Sequence, residues 1–428
     1  RGEAAPVPRG EAAPAPRGEA APVNELPAVA RFRALFGGNV TLRYASARDE
    51  AGTVLVSGVE MLRDGERVTI ETLSLAGMRE DGWDRLEARN MRGSAADFSL
   101  GRLEIAGAAR RAARPGADPQ PDDFSFDRAL IEAFRARDDD EVLFDRLEVT
   151  GYGPGREVAA TLANLRILPE ARDTADRVEV ARMAVSGFDL ATLLGNLIRD
   201  RMPETLPEGR ATLEVQGVAV HKGTERLGGL ERLRIATDAR PGRPHDFALD
   251  LRGLAVNATN GPTGMLRGYG YDAVRADLSI EGRHDTQRHR VEIGTLAFGV
   301  REAGALGLGV TLDEARPGAT PAFAGGRLRY ADDGLIPRVL RSQAQQQRTT
   351  EQALREQGAA MVTLTLQDRP GADLSAVREP VLRFVRGEAR EIEVTSRPER
   401  PITQEVMAKP PQDPAGWVRL LGLTVTAR

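Results

Sequence analysis

The sequence predicts a mainly β protein: an elongated, curved antiparallel sheet, groove-like or taco-like, with a few short amphipathic helices. A seven-residue pattern with apolar residues at its third and fifth positions and glycine at its seventh recurs along the chain, as in DRLEVTG (145–151). Segments rich in glycine and proline, which favour turns, separate many of the copies. Aromatic residues make up only 4% of the chain, which favours thin layers of Leu, Val, Ile and Ala over one deep core.

The first 24 residues are an octapeptide written three times, RGEAAPVP, RGEAAPAP and RGEAAPVN. Proline stiffens such a segment, and it contains almost nothing that could pack. We therefore predict a disordered Pro/Ala-rich spacer and lead-in at 1–38, a repetitive antiparallel sheet at 39–325, and a C-terminal α+β segment at 326–428 that packs on the sheet. Because the sequence begins at Arg1 rather than Met, we expect a signal peptide or a membrane anchor to precede it.

The recurring pattern predicts strands with one buried face, because apolar residues at alternate positions point to the same side of a strand. Glycine at the seventh position is expected to supply the positive φ of a turn or bulge that ends each strand. The spacing of the copies is irregular, so the chain is not a fixed-period solenoid. Besides DRLEVTG, the clear copies are GTVLVSG (52–58), ETLSLAG (71–77), GRLEIAG (101–107), ARMAVSG (181–187), ATLEVQG (211–217) and ADLSIEG (276–282).

The third and fifth positions of six of these copies, all except GTVLVSG, are the candidate residues for an apolar groove that contacts lipid. They are Leu73, Leu75, Leu103, Ile105, Leu147, Val149, Met183, Val185, Leu213, Val215, Leu278 and Ile280.

Four helical regions interrupt the strands, each with apolar residues at helical spacing and a residue that can cap its first turn. Their predicted extents are Ser125 to Arg135, Leu190 to Arg199, Gly334 to Met361 in two parts, and Pro414 to Leu421, the last followed by Gly422 and a strand over Leu423 to Ala427. The predicted capping residues are Ser125, Asp189, Asp332 or Asp333, Thr349 together with Gln352, and Asp413.

Catalytic and metal-binding motifs are absent from the sequence. GxxxxGK[ST], HExxH and GxSxG do not occur, and the chain has no cysteine, which excludes thiol nucleophiles and zinc–thiolate sites. Acidic clusters such as 138–140 are explained by loops and helix caps. We therefore predict no enzymatic activity, no cofactor and no metal site. The four histidines, in polar turn-like contexts, are predicted to be solvated loop residues: His221, His245, His284 and His289.

Charge argues against a nucleic acid partner. The basic residues are nearly all arginine, but the net charge is -4 and acidic residues are interleaved with the arginines, so no basic stripe forms. The absence of cysteine is compatible with an oxidising compartment such as the periplasm.

Two C-terminal stretches carry a family resemblance: GRLRYADDGLIPRVLRSQAQQQRTTEQALREQ (326–357) and REIEVTSRPERPI…DPAGWVRLLGLTVTA (390–427). With the strand patterns that end in SG or AG, they make the chain resemble the AsmA-like and YdgA-like envelope proteins of Gram-negative bacteria. The resemblance implies a repetitive β-sheet protein of the periplasm with a lipid-related or structural role. It also implies tethering to the inner membrane through an N-terminal anchor, and it implies no catalytic residue.

The apolar face of the sheet leaves two functions open. Burying apolar surface contributes about 25 cal/mol per Å², so something must cover this face. If the helices cover it, the protein is an envelope scaffold with a packed core and a protein partner. If they do not, an apolar groove remains that can hold lipid acyl chains. We predict the groove, because the helices are few and short relative to the sheet. A hydrolase of envelope polymers would need a paired-carboxylate or Ser/His site, which we do not find.

Overall fold

The computed structural model of the chain describes residues 25–36, 40–111, 120–171, 174–199, 209–257, 267–316, 318–368 and 373–428. The predicted spacer at 1–24 lies outside these residues. The described residues form one open antiparallel sheet of 19 strands. Strands contain 55% of the described residues and helices 21%, which confirms the mainly β prediction.

Most strands are longer than ten residues. They are β1 (Thr41–Arg43), β2 (Ser46–Glu50), β3 (Thr53–Arg63), β4 (Glu66–Ala76), β5 (Gly82–Gly93), β6 (Phe98–Arg110), β7 (Phe124–Arg137), β8 (Glu141–Tyr152), β9 (Val158–Leu168), β10 (Arg177–Phe188), β11 (Gly209–Lys222), β12 (Glu225–Ala239), β13 (His245–Asn257), β14 (Ala273–Asp285), β15 (Arg290–Val300), β16 (Gly304–Asp313), β17 (Ala322–Asp332), β18 (Glu391–Ser396) and β19 (Leu423–Ala427).

The helices are short and lie mainly near the two ends of the chain. Those in the described residues are α1 (Pro27–Ala34), α2 (Leu190–Ile198), α3 (Leu335–Gln347), α4 (Glu351–Thr365), α5 (Ser375–Arg386), α6 (Gln404–Met407) and α7 (Pro414–Leu421), with two 3₁₀ turns at Ala95–Asp97 and Pro121–Asp123.

The strands follow one another across the sheet in chain order. From β3 to β19 each strand pairs antiparallel with the next, whereas β1 and β2 pair with the two halves of β3. At about 4.8 Å per strand, the sixteen steps from β3 to β19 span roughly 77 Å along the sheet. The strands of the predicted C-terminal segment thus continue the same sheet.

Six residues with left-handed backbone conformation form a row across alternate strands from β3 to β13. Their φ angles lie between 51° and 64°. The pairing registers place neighbouring members on either side of one position in the strand between them, so the row is continuous. We call this row the crease. It consists of Gly58, Asn90, Ala133, Asn164, Gly217 and Gly253.

The crease shifts the alternation of inward and outward side chains. In β4, Ile70 and Leu73 are both buried, whereas Glu71 and Thr72 between them are both exposed. The Asn90 side-chain amide donates a 2.5 Å hydrogen bond to Glu71 Oε2 at this level. Since such irregularities bend a strand, a bend repeated at one level of successive strands curves the sheet about its long axis.

The crease explains the recurring sequence pattern and corrects one expectation. In ETLSLAG the first two residues are the outward pair at the crease, and the third and fifth are buried. Glycine does not end every strand, however: β3 continues beyond Gly58, β6 beyond Gly107 and β11 beyond Gly217, each with positive φ. Gly282, in the last copy, is not among the positive-φ residues.

Substitutions along the crease should change stability in opposite directions. Gly217→Ala is expected to lower the free energy of unfolding by about 2 kcal/mol, because left-handed backbone is unfavourable for alanine and the added Cβ would lie 2.8 Å from Ala181 Cβ. Ala133→Gly is expected to raise the free energy of unfolding by about 1 kcal/mol. Glycine removes the strain of left-handed backbone at this position, and little packing is lost because the Ala133 side chain is exposed. Urea denaturation measures both, and a change of the same sign in both variants would contradict the crease.

The helix predicted from Ser125 to Arg135 is wrong, because these residues form β7. The crease is the physical reason. Positive φ at Ala133 shifts the alternation, so Ile131 and Phe134 come to the same face at a spacing of three residues. That spacing is the one by which an amphipathic helix is recognised.

Other helix predictions are confirmed in place, with small corrections. Asp189 accepts a hydrogen bond from the backbone N–H of Thr192 and caps α2, and Asp413 caps α7 in the same way. Asp332 accepts from the N–H of Ile336 in the first turn of α3. The cap of α4 is Thr350 rather than Thr349.

Three helices were missed. The shortest, α6 (Gln404–Met407), is a single turn that Thr403 caps, whereas the other two lack a side-chain cap. Helix α1 lies inside the segment predicted to be a disordered lead-in, and its N-cap, Leu26, makes no side-chain cap. Helix α5 contains Pro380 and follows Leu374, which likewise makes no side-chain cap. Neither α1 nor α5 therefore carries the start signal on which the sequence predictions relied.

Candidate functional site: an apolar surface across the sheet

Two adjacent rows of apolar side chains run without interruption from β3 to β19. Each member lies directly opposite the next in the pairing of neighbouring strands. We call them the apolar rows. The first is Val56, Leu73, Ala88, Leu103, Ile131, Leu147, Leu162, Met183, Val215, Leu233, Leu251, Leu278, Phe298, Leu306, Tyr330, Ile392 and Ala427. The second is Val54, Leu75, Leu86, Ile105, Ala129, Val149, Ala160, Val185, Leu213, Ile235, Leu249, Ile280, Leu296, Leu308, Leu328, Val394 and Val425.

All twelve groove candidates from the sequence belong to these rows, so the structure brings them together on one face. Their role as lipid contacts stays a prediction. Sequence reasoning missed Val54 and Val56 of the copy GTVLVSG, and it missed the row members on strands without a clear copy, such as Leu162, Leu249 and Leu296. The available signal was the alternation of apolar residues in those segments, but only strand pairing shows that they join the same rows.

Burial divides the rows into covered ends and an incompletely covered middle. Every row residue on β3, β4 and β5 is buried. On β6 to β18 none is fully buried. Phe298, Leu306 and Leu328 are 40%, 39% and 44% exposed. Side chains of this size are seldom left exposed in a continuous patch unless something binds there.

Helices cover both ends of the rows. At the first end, Val29 and Phe32 of α1 are buried in one cluster with the row residues of β3 to β5. At the other end, the Phe384 ring of α5 packs edge-on against Tyr330 of the first row, with ring centroids 6.0 Å apart. Burial and a hydrogen bond to Asp332 raise the pKa of the Tyr330 hydroxyl well above its ordinary value. Helix α5 also runs beside β19.

An apolar cavity of about 790 Å³ lies beside α1, over strands β3 to β7. This volume is typical of small-molecule sites. Its lining includes Leu73, Leu103 and Ile105, three of the groove candidates, together with Phe32 and Trp83. The charged residues of its lining are Arg63 and Arg110. The covered end of the apolar rows therefore retains space for a ligand.

The opposite face of the sheet is charged and internally paired. Glu104 is only 7% exposed, because Arg85, Arg102 and Arg128 surround it. The closest approaches of the Glu104 carboxylate to Arg85 and Arg128 are 3.1 and 3.2 Å. Hydrogen bonds from Arg128 and Arg146 lower the pKa of Glu148. This network of ion pairs holds long charged side chains over the outer face, whereas the apolar rows lie on the inner face.

The histidines are placed differently from the sequence prediction. His221, His245 and His284 lie in strands rather than loops, and only His289 lies in a turn. His245 and His284 face each other across β13 and β14, with ring centroids 6.2 Å apart. No group of three or more His, Asp or Glu side chains suited to a metal ion occurs in the part of the chain that the structure describes.

None of the helices in the described ranges is both long enough and apolar enough to cross a bilayer. In the comparison with known proteins, a family model described as an uncharacterized protein matches residues 300–428. That region contains β16 to β19 and α3 to α7. No curated protein and no solved structure matches the chain.

Proposed function

We propose that this chain is a non-enzymatic periplasmic envelope protein that binds or handles lipid, with acyl chains lying along the apolar rows. One observation carries the proposal: between β6 and β18 the rows are continuous and none of their residues is fully buried. The twelve strand steps involved correspond to roughly 58 Å. Covering this surface with hydrocarbon would contribute about 25 cal/mol per Å².

The chemistry of the rows favours an acyl chain over a protein segment. Residues two apart in a strand are about 7 Å apart, so the two rows run side by side, perpendicular to the strands. Nearly all members are aliphatic, and Tyr330 near the far end is the one residue among them with a polar side-chain group. A protein partner would bring polar groups that need hydrogen-bonding partners, whereas a hydrocarbon chain needs none.

The envelope location rests on composition and resemblance. The chain lacks cysteine, and two C-terminal stretches resemble AsmA-like and YdgA-like envelope proteins. An anchor ahead of Arg1 would tether the sheet to the inner membrane, whose phospholipid is the nearest supply of acyl chains.

Lipid extraction tests the proposal directly. The protein is purified without detergent, and organic extracts are quantified by mass spectrometry against a cysteine-free periplasmic protein prepared in parallel. We expect phospholipid in at least equimolar amount. A monodisperse protein free of lipid, which also fails to take up phospholipid from vesicles, would contradict the proposal.

A scaffold function is the second candidate, favoured by a different surface. Met361 and Leu364 on α4 are 65% and 70% exposed, away from the apolar rows. Exposed apolar side chains this close together are typical of protein interfaces. Crosslinking in cells should trap a defined partner at α4 if this function holds, and a Met361→Gln, Leu364→Gln variant should lose that partner.

A further inference from the structure

The cavity beside α1 follows strand β6 along its length. Phe98, Leu103, Ile105 and Arg110 of this one strand all contribute to its lining. The twelve residue steps from Phe98 to Arg110 correspond to about 40 Å of strand. An apolar space that reaches this far along one strand can hold an extended hydrocarbon chain.

Arg110 lies at one end of this space and has no ionic partner among the described residues. Its guanidinium carbon lies 5.7 Å from the centroid of the Phe124 ring. Its Nε is buried and makes no hydrogen bond, and no carboxylate pairs with it among the described residues. A buried donor left without a partner is costly, and more so when it belongs to a charged group.

Five other arginines have a buried Nε that makes no hydrogen bond, but they differ from Arg110 in their ionic partners. Each of them forms an ion pair with a carboxylate, whereas Arg110 forms none in the described part of the chain. The paired ones are Arg33, Arg102, Arg177, Arg232 and Arg290.

The other charged residue of the lining differs from Arg110. Arg63 pairs with Asp64 at 3.4 Å, and both side chains are mostly exposed. The cavity lining therefore contains one arginine that pairs with a carboxylate, Arg63, and one that pairs with none in the described part of the chain, Arg110.

We propose that the cavity beside α1 binds a single-chain anionic amphiphile, with its hydrocarbon chain along β6 and its carboxylate or phosphate on Arg110. The shared chemistry is one acyl chain that ends in an anionic group, as in a free fatty acid or a lysophosphatidic acid. The inference rests on the proposed function in that it concerns the same apolar rows, and it names the ligand class for their covered end. A carboxylate or phosphate would accept the hydrogen bonds that Arg110 lacks.

Fluorescence of Trp83 provides the test, because Trp83 lines the cavity and the chain contains only two tryptophans. In a Trp417→Phe background, palmitate brominated near the middle of its chain should quench Trp83, which lies opposite Ala108 of β6, and give a dissociation constant. Arg110→Gln should weaken binding about tenfold or more, since a charge-assisted hydrogen bond is lost. Arg110→Lys should recover part of it. The matched control is Arg111→Gln, because the Arg111 side chain is exposed and does not line the cavity. This substitution should change the affinity less than twofold.

Competition distinguishes the possible ligands. Palmitate and lysophosphatidic acid should displace the brominated probe, the better of the two identifying the headgroup, whereas hexadecanol should compete weakly and equally in the wild type and Arg110→Gln. Displacement by inorganic phosphate alone would reduce the site to a simple anion site and overturn the proposal. Circular dichroism melting verifies that each variant is folded.

Absence of Trp83 quenching in the wild type, or equal affinity in Arg110→Gln and Arg111→Gln, would also overturn the proposal. Neither result concerns phospholipid binding along the rows between β6 and β18, which lipid extraction tests. Failure of this proposal therefore leaves the proposed function standing. Conversely, Arg110-dependent quenching of Trp83 in a protein that carries no phospholipid would uphold this site and reject the wider function.

Discussion

Leu73→Asp is expected to lower the free energy of unfolding of the first part of the sheet by about 5 kcal/mol. Leu73 is 2% exposed and belongs to the cluster that α1 covers, with Val56 and Ala88 directly opposite it in the neighbouring strands. An aspartate there would place a carboxylate among hydrocarbon with no partner. Urea denaturation followed by Trp83 fluorescence reports on this region.

The matched control for Leu73→Asp is Ser74→Asp. Ser74 lies on the other face of the same strand, opposite Glu87, whose carboxylate pairs with Arg85, Arg89 and Arg102. A second carboxylate near these arginines should cost less than about 1 kcal/mol. Equal destabilisation by the two variants would mean that the face assignment in β4 is wrong.

The double variant Met183→Asp, Val185→Asp is expected to abolish lipid capture while the protein stays folded. Both residues lie in the apolar rows on β10, flanked by Leu162, Ala160, Val215 and Leu213, and both are only partly buried. Water can still solvate the two carboxylates in the free protein, so the cost in stability should be about 1 to 3 kcal/mol. A bound acyl chain would strip that water at a cost of several kcal/mol per charge.

Ala184→Asp is the control for this variant. Ala184 lies between the two substituted residues and points to the outer face, opposite Thr161 and Glu214. Lipid capture, measured as the lipid-to-protein ratio after detergent-free purification, should match that of the wild type. If Ala184→Asp also loses lipid, or the double variant retains it, the rows on β10 do not contact the ligand.

The inward-facing residues of the strands could be predicted from the sequence better than the continuity of the apolar rows. Period-two alternation identified the inward residues wherever the pattern was clear, because alternation is a local property of a strand. The continuity of the rows depends on the register of sixteen pairings, which no single segment encodes. Residues such as Leu233, Leu249 and Leu296 join the site only through those pairings.

The crease was the feature most difficult to predict. Asn90, Ala133 and Asn164 have left-handed backbone although they are not glycine. Asparagine adopts this backbone more readily than most other residues, but nothing in the local sequence marks Ala133 or shows that the three positions align. Their conformation is set by the strands on either side. The same feature produced the false helix at Ser125 to Arg135, since a bulged strand can imitate helical spacing. The cavity at Arg110 was missed because it needs α1, which carries no side-chain cap, to lie over the sheet.

The most direct test of the central claim is photocrosslinking with a phospholipid that carries a diazirine in its acyl chain. Crosslinked peptides are identified by mass spectrometry after detergent-free loading from vesicles. The account predicts labelling of row residues on several consecutive strands between β7 and β17, including Leu251 and Leu278, and none of the arginines and glutamates of the outer face. Labelling confined to the helices, or spread equally over both faces, would contradict it.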